Sequence, residues 1–549
     1  MSLVPGIAEE DAATWDASGE AEDDIVSELP RPKARMPSVP LNVGAASNRD
    51  AGEQASTRRS WGLASLFSGQ LSSRLTGGQV SNRGATSAGA SNYKQAIDTL
   101  KSSDSKDAAE LVAAAKTLLA FCSDHKKIIE ACKAGALEAV AEALNTQMNT
   151  RDVVFITLPS LINLSSGDDE AGLKRVSALI QAGIIETLTG VLRAHPDDAA
   201  LAIRAVWALQ HVCRRGSSTA GSSHSWLSRV LQSEVLTLVS QMHAAFPEYR
   251  ALHTRVFFLV SSVCYHLTHA GVQAGMASSA TLDKTAARLS VLPSIAAALR
   301  TPSPSVVRDS EEVHEAAALA LGDACASPEV VALAISSGVV EGLVAAMGAQ
   351  PAAGALQENG CWALRQICAG CDAATRVQIV QSGVPRVVVH ALLAVQWPRF
   401  TRLAGLREKG CRALLALCGP NPSPIAATAD SSAAVEVRVK LAEMGALEAA
   451  CAALEAHPAE ASVVSYACEL LFAVCSGHDP DHRRKRQSAD ADAIQVIIEA
   501  LKCAKGKKHA EQAIQAAYDA LDLITTGGPA LMEAAVSLGY TPPDEALEA

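Results

Sequence analysis

Gly360-Cys361-Trp362-Ala363-Leu364-Arg365-Gln366-Ile367-Cys368, followed a few turns later by Ser382-Gly383-Val384-Pro385, decides how this chain folds. The first phrase sets apolar and small residues at i, i+3 and i+4, the spacing that gives an α-helix one buried face. The second is a stop and a restart. Gly383 takes the left-handed conformation that ends a helix, and Pro385 stands at the start of the next, where a missing N–H is an unpaired one anyway.

Both phrases recur. The glycine phrase returns as Ala134-Gly135-Ala136-Leu137, Ala182-Gly183-Ile184-Ile185, Ser337-Gly338-Val339-Val340 and Met444-Gly445-Ala446-Leu447. Degenerate copies fit at Ser233-Glu234-Val235-Leu236 and Ser290-Val291-Leu292-Pro293, and a weak final one at Leu538-Gly539-Tyr540. Gly135 and Gly183 are 48 residues apart, and Gly338 and Gly383 are 45 apart. The helical phrase falls between the glycines, for example at Leu118–Cys122, Leu161–Ser165, Trp207–Cys213, Ala318–Cys325, Gly410–Cys418, Cys468–Cys475 and Tyr518–Ile524. Self-similarity at a period of this size is the mark of a stacked repeat, in which each unit buries its apolar face only against its neighbours.

Two phrases in fixed order at this period resemble armadillo repeats over residues 93–545. The resemblance implies an all-α, right-handed solenoid of about nine three-helix units, with HEAT repeats the near alternative. The period exceeds the ~40–47 residues usual for such units. Loop insertions at Gly216–Ser225, Ala270–Asp283 and Gly419–Ala434 account for the excess. Residues 1–92 are expected to be a disordered tail of blocky charge, acidic up to Glu28 and basic from Arg31 to Arg83, with few apolar residues to offset the entropy of ordering.

Composition supports the helical reading. The chain has 549 residues, 49% hydrophobic and only 4% aromatic, whereas sheets lean on aromatic and β-branched side chains. No apolar run reaches the ~18 residues of a membrane span, and the N-terminus lacks the basic-then-apolar pattern of a signal peptide. A cytoplasmic or nuclear location is therefore expected. A net charge of −11 argues against nucleic acid as a general partner, since phosphate binding needs clustered cations.

The sequence offers little for catalysis. Seven of the 14 cysteines (Cys122, Cys213, Cys264, Cys325, Cys368, Cys418 and Cys475) stand at the same place in successive units, which is the behaviour of a small packing residue. Cys368-Ala369-Gly370-Cys371 closes a helix, whereas a redox motif of this form opens one. His195 and His457 each precede a proline between helices, which reads as a turn. No phosphate-loop, serine-hydrolase or zinc-protease motif is present, and no cofactor or metal is expected.

The expected function is a non-enzymatic scaffold or adaptor that holds a partner protein in the groove of the solenoid. Armadillo-type import receptors carry Trp, then Asn four residues later, along the last helix of many units. Here Trp207 is followed by His211 and Trp362 by Gln366, and Trp and Asn never occur together, so that function is not implied. Trp207, His211, Trp362, Arg365, Gln366 and Arg412 are the expected groove residues, because aromatics and Arg carry most interface energy. The basic run Arg483-Arg484-Lys485-Arg486 is expected in a loop, as an import signal, a contact for an acidic partner or the flank of a phosphorylated Ser488. A component of a cytoskeletal or ciliary assembly and a regulator of a small GTPase are the alternative functions. A monomer is expected unless the chain belongs to an assembly.

Overall fold

The chain divides into residues 1–80 and 81–549. The computed structural model describes residues 88–541, apart from short stretches at 104–105, 167–168, 217–222, 274–278, 301–309, 395–402, 420–431, 505–506 and 508–509. The expected tail, and most of the expected insertions, lie outside the described residues. Helix starts at Ala88, five residues before Tyr93. The insertion expected at Ala270–Asp283 is partly helix: Arg250–Gln273 runs into its start, and Ser279–Leu289 takes up its end.

Among the described residues every regular element is helical. The helices group in threes. A short first helix turns sharply into a second, and a longer third helix returns alongside it. Eight complete units run from His125 to Thr525. The pair Ala88–Lys101 and Ala108–Phe121 precedes them, and Pro529–Ser537 follows. Each third helix packs on the third helices of the units before and after it, and second helices do the same in a parallel layer.

The first-to-second turn is made as the sequence predicts. Gly135, Gly183, Gly338, Gly383 and Gly445 stand before second helices with φ between 73° and 91°. The degenerate copy at Ser233–Leu236 holds too, since Glu234 takes φ 55° there, whereas the copy at Ser290–Pro293 turns without a left-handed residue. A further copy escaped notice because Asp492, φ 61°, replaces the glycine. Side chains in this conformation cost about 1 kcal/mol, so the solenoid tolerates them in two units and uses glycine in most.

The core lies between the second and third helices. In Ala461–Cys475, Val463, Val464, Ala467, Cys468, Leu470, Leu471 and Val474 are all buried, because three neighbouring helices surround this one. Small residues set the spacing. A Cβ added at Gly360 would meet Met347 Sδ of the preceding second helix at 2.4 Å. The seven recurring cysteines are buried as expected. Burial pushes Cys213, Cys264, Cys325, Cys418 and Cys475 up to about 12, so they pack as thiols.

A device that the sequence reading missed closes the third helices. An arginine of the next first helix reaches back to their terminal carbonyls. Arg175 Nε donates to Leu164 O at 2.8 Å and its Nη2 to Ser166 O at 2.5 Å. Arg288 makes a related contact inside the longer helix Arg250–Gln273, before its end, where its Nη2 donates to Cys264 O at 3.4 Å and to Thr268 Oγ1 at 2.8 Å. Arg484 Nη2 donates to Ser476 O at 3.0 Å and to His478 O at 2.7 Å. Orphan carbonyls at a helix end thus gain charge-assisted partners.

This corrects the reading of the basic run. Arg483–Asp490 is a first helix and not a loop. Arg484 and Lys485 are buried, and Lys485 Nζ donates to Thr526 Oγ1 at 2.9 Å. Arg483 and Arg486 remain exposed. Ser488, the expected phosphorylation site, is fully buried and donates to Lys485 O at 2.7 Å. The physical reason is periodicity: a helix turns two adjacent residues to the core and those on either side outward, so a run of four cations divides between two faces.

Two predictions follow from this packing. Arg484→Ala should lower stability by about 2–3 kcal/mol, because it strands buried carbonyls, whereas Arg486→Ala should be near neutral. Thermal unfolding followed by circular dichroism measures the difference, and equal effects would contradict the buried role. The second concerns His243 and His253, buried rings 4.2 Å apart. Burial, then His253, lowers His243 from 6.5 to about 4. The unfolded chain takes up this proton below about 6.5 and the folded chain only near 4, so stability is present at neutral pH and lost as pH falls through that window. One such group costs about 2 kcal/mol at pH 5. His243→Phe should reduce the loss of melting temperature between pH 7 and pH 5; an unchanged loss would show that the ring titrates normally.

Candidate functional site

Each third helix is covered on three sides and keeps one narrow face toward water. Half-buried residues recur along that face at i, i+3 and i+7: Arg204, Trp207 and His211 on Ala199–Gly216; Arg255, Phe258 and Ser262 on Arg250–Gln273; and, with Glu312 exposed, Glu312, Glu315 and Leu319 on Glu311–Ala324. The series continues through Glu358, Trp362 and Arg365 on Gly354–Gly370, then Glu408, Lys409 and Arg412 on Ala404–Cys418, and Tyr466 and Glu469 on Ala461–Cys475. Because the third helices lie side by side, these faces form one stripe.

The stripe is stitched by cations over rings, mostly across unit boundaries. Arg204 lies 3.4 Å from the Phe155 ring centroid of the unit before, and its Nη1 donates to Phe155 O at 3.0 Å. Arg255 lies 4.7 Å from the Trp207 ring. Arg412 lies 4.6 Å from the Tyr466 ring and pairs with Glu408 at 2.9 Å. Arg365 lies 5.3 Å from the ring of Trp362 on its own helix and donates to Gln366 Oε1 at 2.8 Å. Lys409 Nζ meets Glu358 Oε1 at 2.7 Å. Such contacts contribute about 0.5–2 kcal/mol each according to their exposure.

All six expected groove residues stand on this stripe, in two groups. Trp207 and His211 share one helix. Trp362, Arg365, Gln366 and Arg412 form a second group three units later, in which burial and then the nearby Arg412 lower the Arg365 pKa. Neither tryptophan is a core residue and neither is bare. Trp207 carries Arg255 on its ring, and Trp362 lies over Gly322, where an added Cβ would meet its Cδ1 at 2.3 Å. The sequence reading missed Arg204, Arg255, Glu315, Glu358 and Tyr466. Their signal was available: Arg204 precedes Trp207 by three residues, as Arg255 precedes Phe258 in the next unit.

Charge along the stripe is segregated. Ala199–Gly216 and Arg250–Gln273 contain no acidic residue, and Glu311–Ala324, the next third helix, contains no Lys or Arg. In that acidic segment burial, then the carboxylates of Glu312, Glu311 and Glu358, push Glu315 up to about 7.

The other sequence motifs take structural places. Cys371 Sγ donates to Cys368 O at 3.3 Å just beyond the end of Gly354–Gly370, and burial raises both thiols. His195 and His457 follow second helices as their C-caps, and His195 Nε2 meets Met148 O of the preceding unit at 2.9 Å. Among the described residues no three His, Cys, Asp or Glu side chains are placed to hold a metal ion, and no single helix is long and apolar enough to cross a membrane.

No family model and no curated protein matches this sequence. Solved structures do. A chain from a structure titled as a conserved phosphorylation switch controlling the interaction between cadherin and beta-catenin is 13% identical, over 80% of this chain and 92% of its own, with a TM-score of 0.33. A chain in the crystal structure of Uso1-2 is also 13% identical, over 81% of this chain and 63% of its own, with a TM-score of 0.45.

The raised Glu315 carboxyl has a consequence for stability. Its folded pKa lies above its unfolded one, so its contribution is present in acid and is lost as pH rises from about 4.5 through 7. Glu315→Gln, a mimic of the protonated acid, should raise the melting temperature at pH 8 and give no gain at pH 4. Equal effects at the two pH values would contradict the raised carboxyl.

Proposed function

We propose that this chain is a non-enzymatic interaction scaffold of the armadillo type, and that the stripe along its third helices is where it holds a partner protein. The observation that carries the reading is the array of half-buried Trp, Tyr, Phe and Arg side chains on successive third helices. Large rings and guanidinium groups dominate the energetics of protein interfaces. Set on packed helices, and braced by neighbours from adjoining units, they lose little freedom when a partner settles on them. Repetition supplies the rest: equivalent positions spaced by one helix diameter suit an extended segment that crosses the helices in turn.

A non-enzymatic role is supported by what the described side chains of the stripe already hold. Its cations are paired with rings or carboxylates, and the recurring cysteines are thiols sealed in the core.

The test is capture from a lysate of the source cell, with the intact chain as bait beside a Trp207→Ala/Trp362→Ala variant of unchanged helical content. Stoichiometric partners held by the parent and lost from the variant are expected. Equal capture by both would move the binding surface off the stripe.

A further inference from the structure

We infer that the stripe is built for an extended peptide of divided charge, with acidic residues lying over Ala199–Gly216 and Arg250–Gln273 and a basic residue lying over Glu311–Ala324. This rests on the reading of the stripe as the partner surface and adds the chemistry of the partner.

The first observation is where charge is placed. In a chain of net charge −11, two successive third helices carry Arg204, Arg214, Arg250 and Arg255 and no acid on either helix. Arg214 and Arg250 are exposed, and Arg204 and Arg255 are half-buried. Arg204 and Arg255 stand beside Phe155 and Trp207 on neighbouring third helices, so their fields add there, with Arg214 about two turns beyond Trp207 on its helix and Arg250 opening the next. Burial lowers the Arg255 pKa, with Glu312 opposing it. A guanidinium set against a low-dielectric wall gains more from an incoming carboxylate than one in open water.

The second observation is the abrupt reversal at the next helix. Glu311, Glu312 and Glu315 face the same stripe one unit on, with Glu358 beyond them. A polynucleotide that began on the arginines would run its next phosphates onto these carboxylates. Its bases would also want open ring faces to stack on, whereas Phe155 and Trp207 already carry Arg204 and Arg255. A peptide meets neither obstacle, because it can change sign within a few residues.

The spacing agrees. Packed helices lie about 8–10 Å apart, and an extended polyproline II segment rises about 3.1 Å per residue with three residues per turn, so every third side chain faces the same way. One unit is therefore crossed in about three residues, and an acidic side chain at every third position meets each basic helix once.

The experiment is fluorescence anisotropy of the full chain with a labelled synthetic peptide carrying Asp at every third position and ending in a short Lys stretch at the same spacing. Binding is expected, weakening as salt rises. Arg255→Glu should weaken it at least about tenfold, and Arg214→Glu, an exposed change that leaves the core alone, should weaken it measurably. Circular dichroism confirms that both variants are folded. No binding of this peptide, equal binding of an all-Lys peptide of the same length, or binding that ignores both charge reversals would overturn the inference. So would tighter binding of oligothymidine, in favour of nucleic acid. If the tryptophan variant loses its captured partners while the acidic peptide fails to bind, only the charge assignment falls. If capture is also unaffected by the tryptophan changes, the stripe itself is the wrong surface.

Discussion

The third helices are covered on three sides, and everything else follows from that constraint. A helix packed between its counterparts in the units before and after it, and backed by its own second helix, has about a quarter of its circumference left for water. Buried positions must be small or apolar, which is why Ala, Cys, Leu and Val fill Ala461–Cys475 and why a Cβ at Gly360 would press on the Met347 side chain. On the free face packing constrains the described residues least, so polar and aromatic side chains there can brace the unit boundaries and still meet a partner.

The constraint explains the stitching across units as well. Neighbouring third helices are close enough for a long side chain to reach the next one. Arg204 lies on Phe155, Arg255 on Trp207, Arg412 on Tyr466 and Lys409 on Glu358. In a stack whose stability is a sum of nearest-neighbour interfaces, such contacts brace each unit boundary while holding the side chains in fixed positions. Arg175 and Arg484 of the first helices do related work at the carbonyl ends of the third helices.

The architecture was legible in the sequence because its signals are local. A left-handed residue after a first helix writes a glycine, and a helix buried on several faces writes Ala, Leu and Cys at helical spacing. Reading failed where the determinant was a tertiary contact. Asp492 makes the same turn as the glycines, yet an aspartate there carries no distinctive signal. The run from Arg483 to Arg486 displays its charge in sequence, but only the carbonyls of Ser476 and His478 make Arg484 a buried anchor. At the stripe, tryptophans were conspicuous and drew the right helices into view. Their arginine partners were not, since Arg204 and Arg255 gain their meaning from rings one unit away.

The central claim is that partners meet the third helices and not the outer first helices. Hydrogen–deuterium exchange of the chain with and without a captured partner tests it most directly. Added protection of side-chain-bearing segments on Ala199–Gly216, Arg250–Gln273 and Gly354–Gly370, with first helices such as Glu170–Gln181 and Ala373–Gln381 unchanged, is the result this account predicts. Protection confined to the first helices would contradict it.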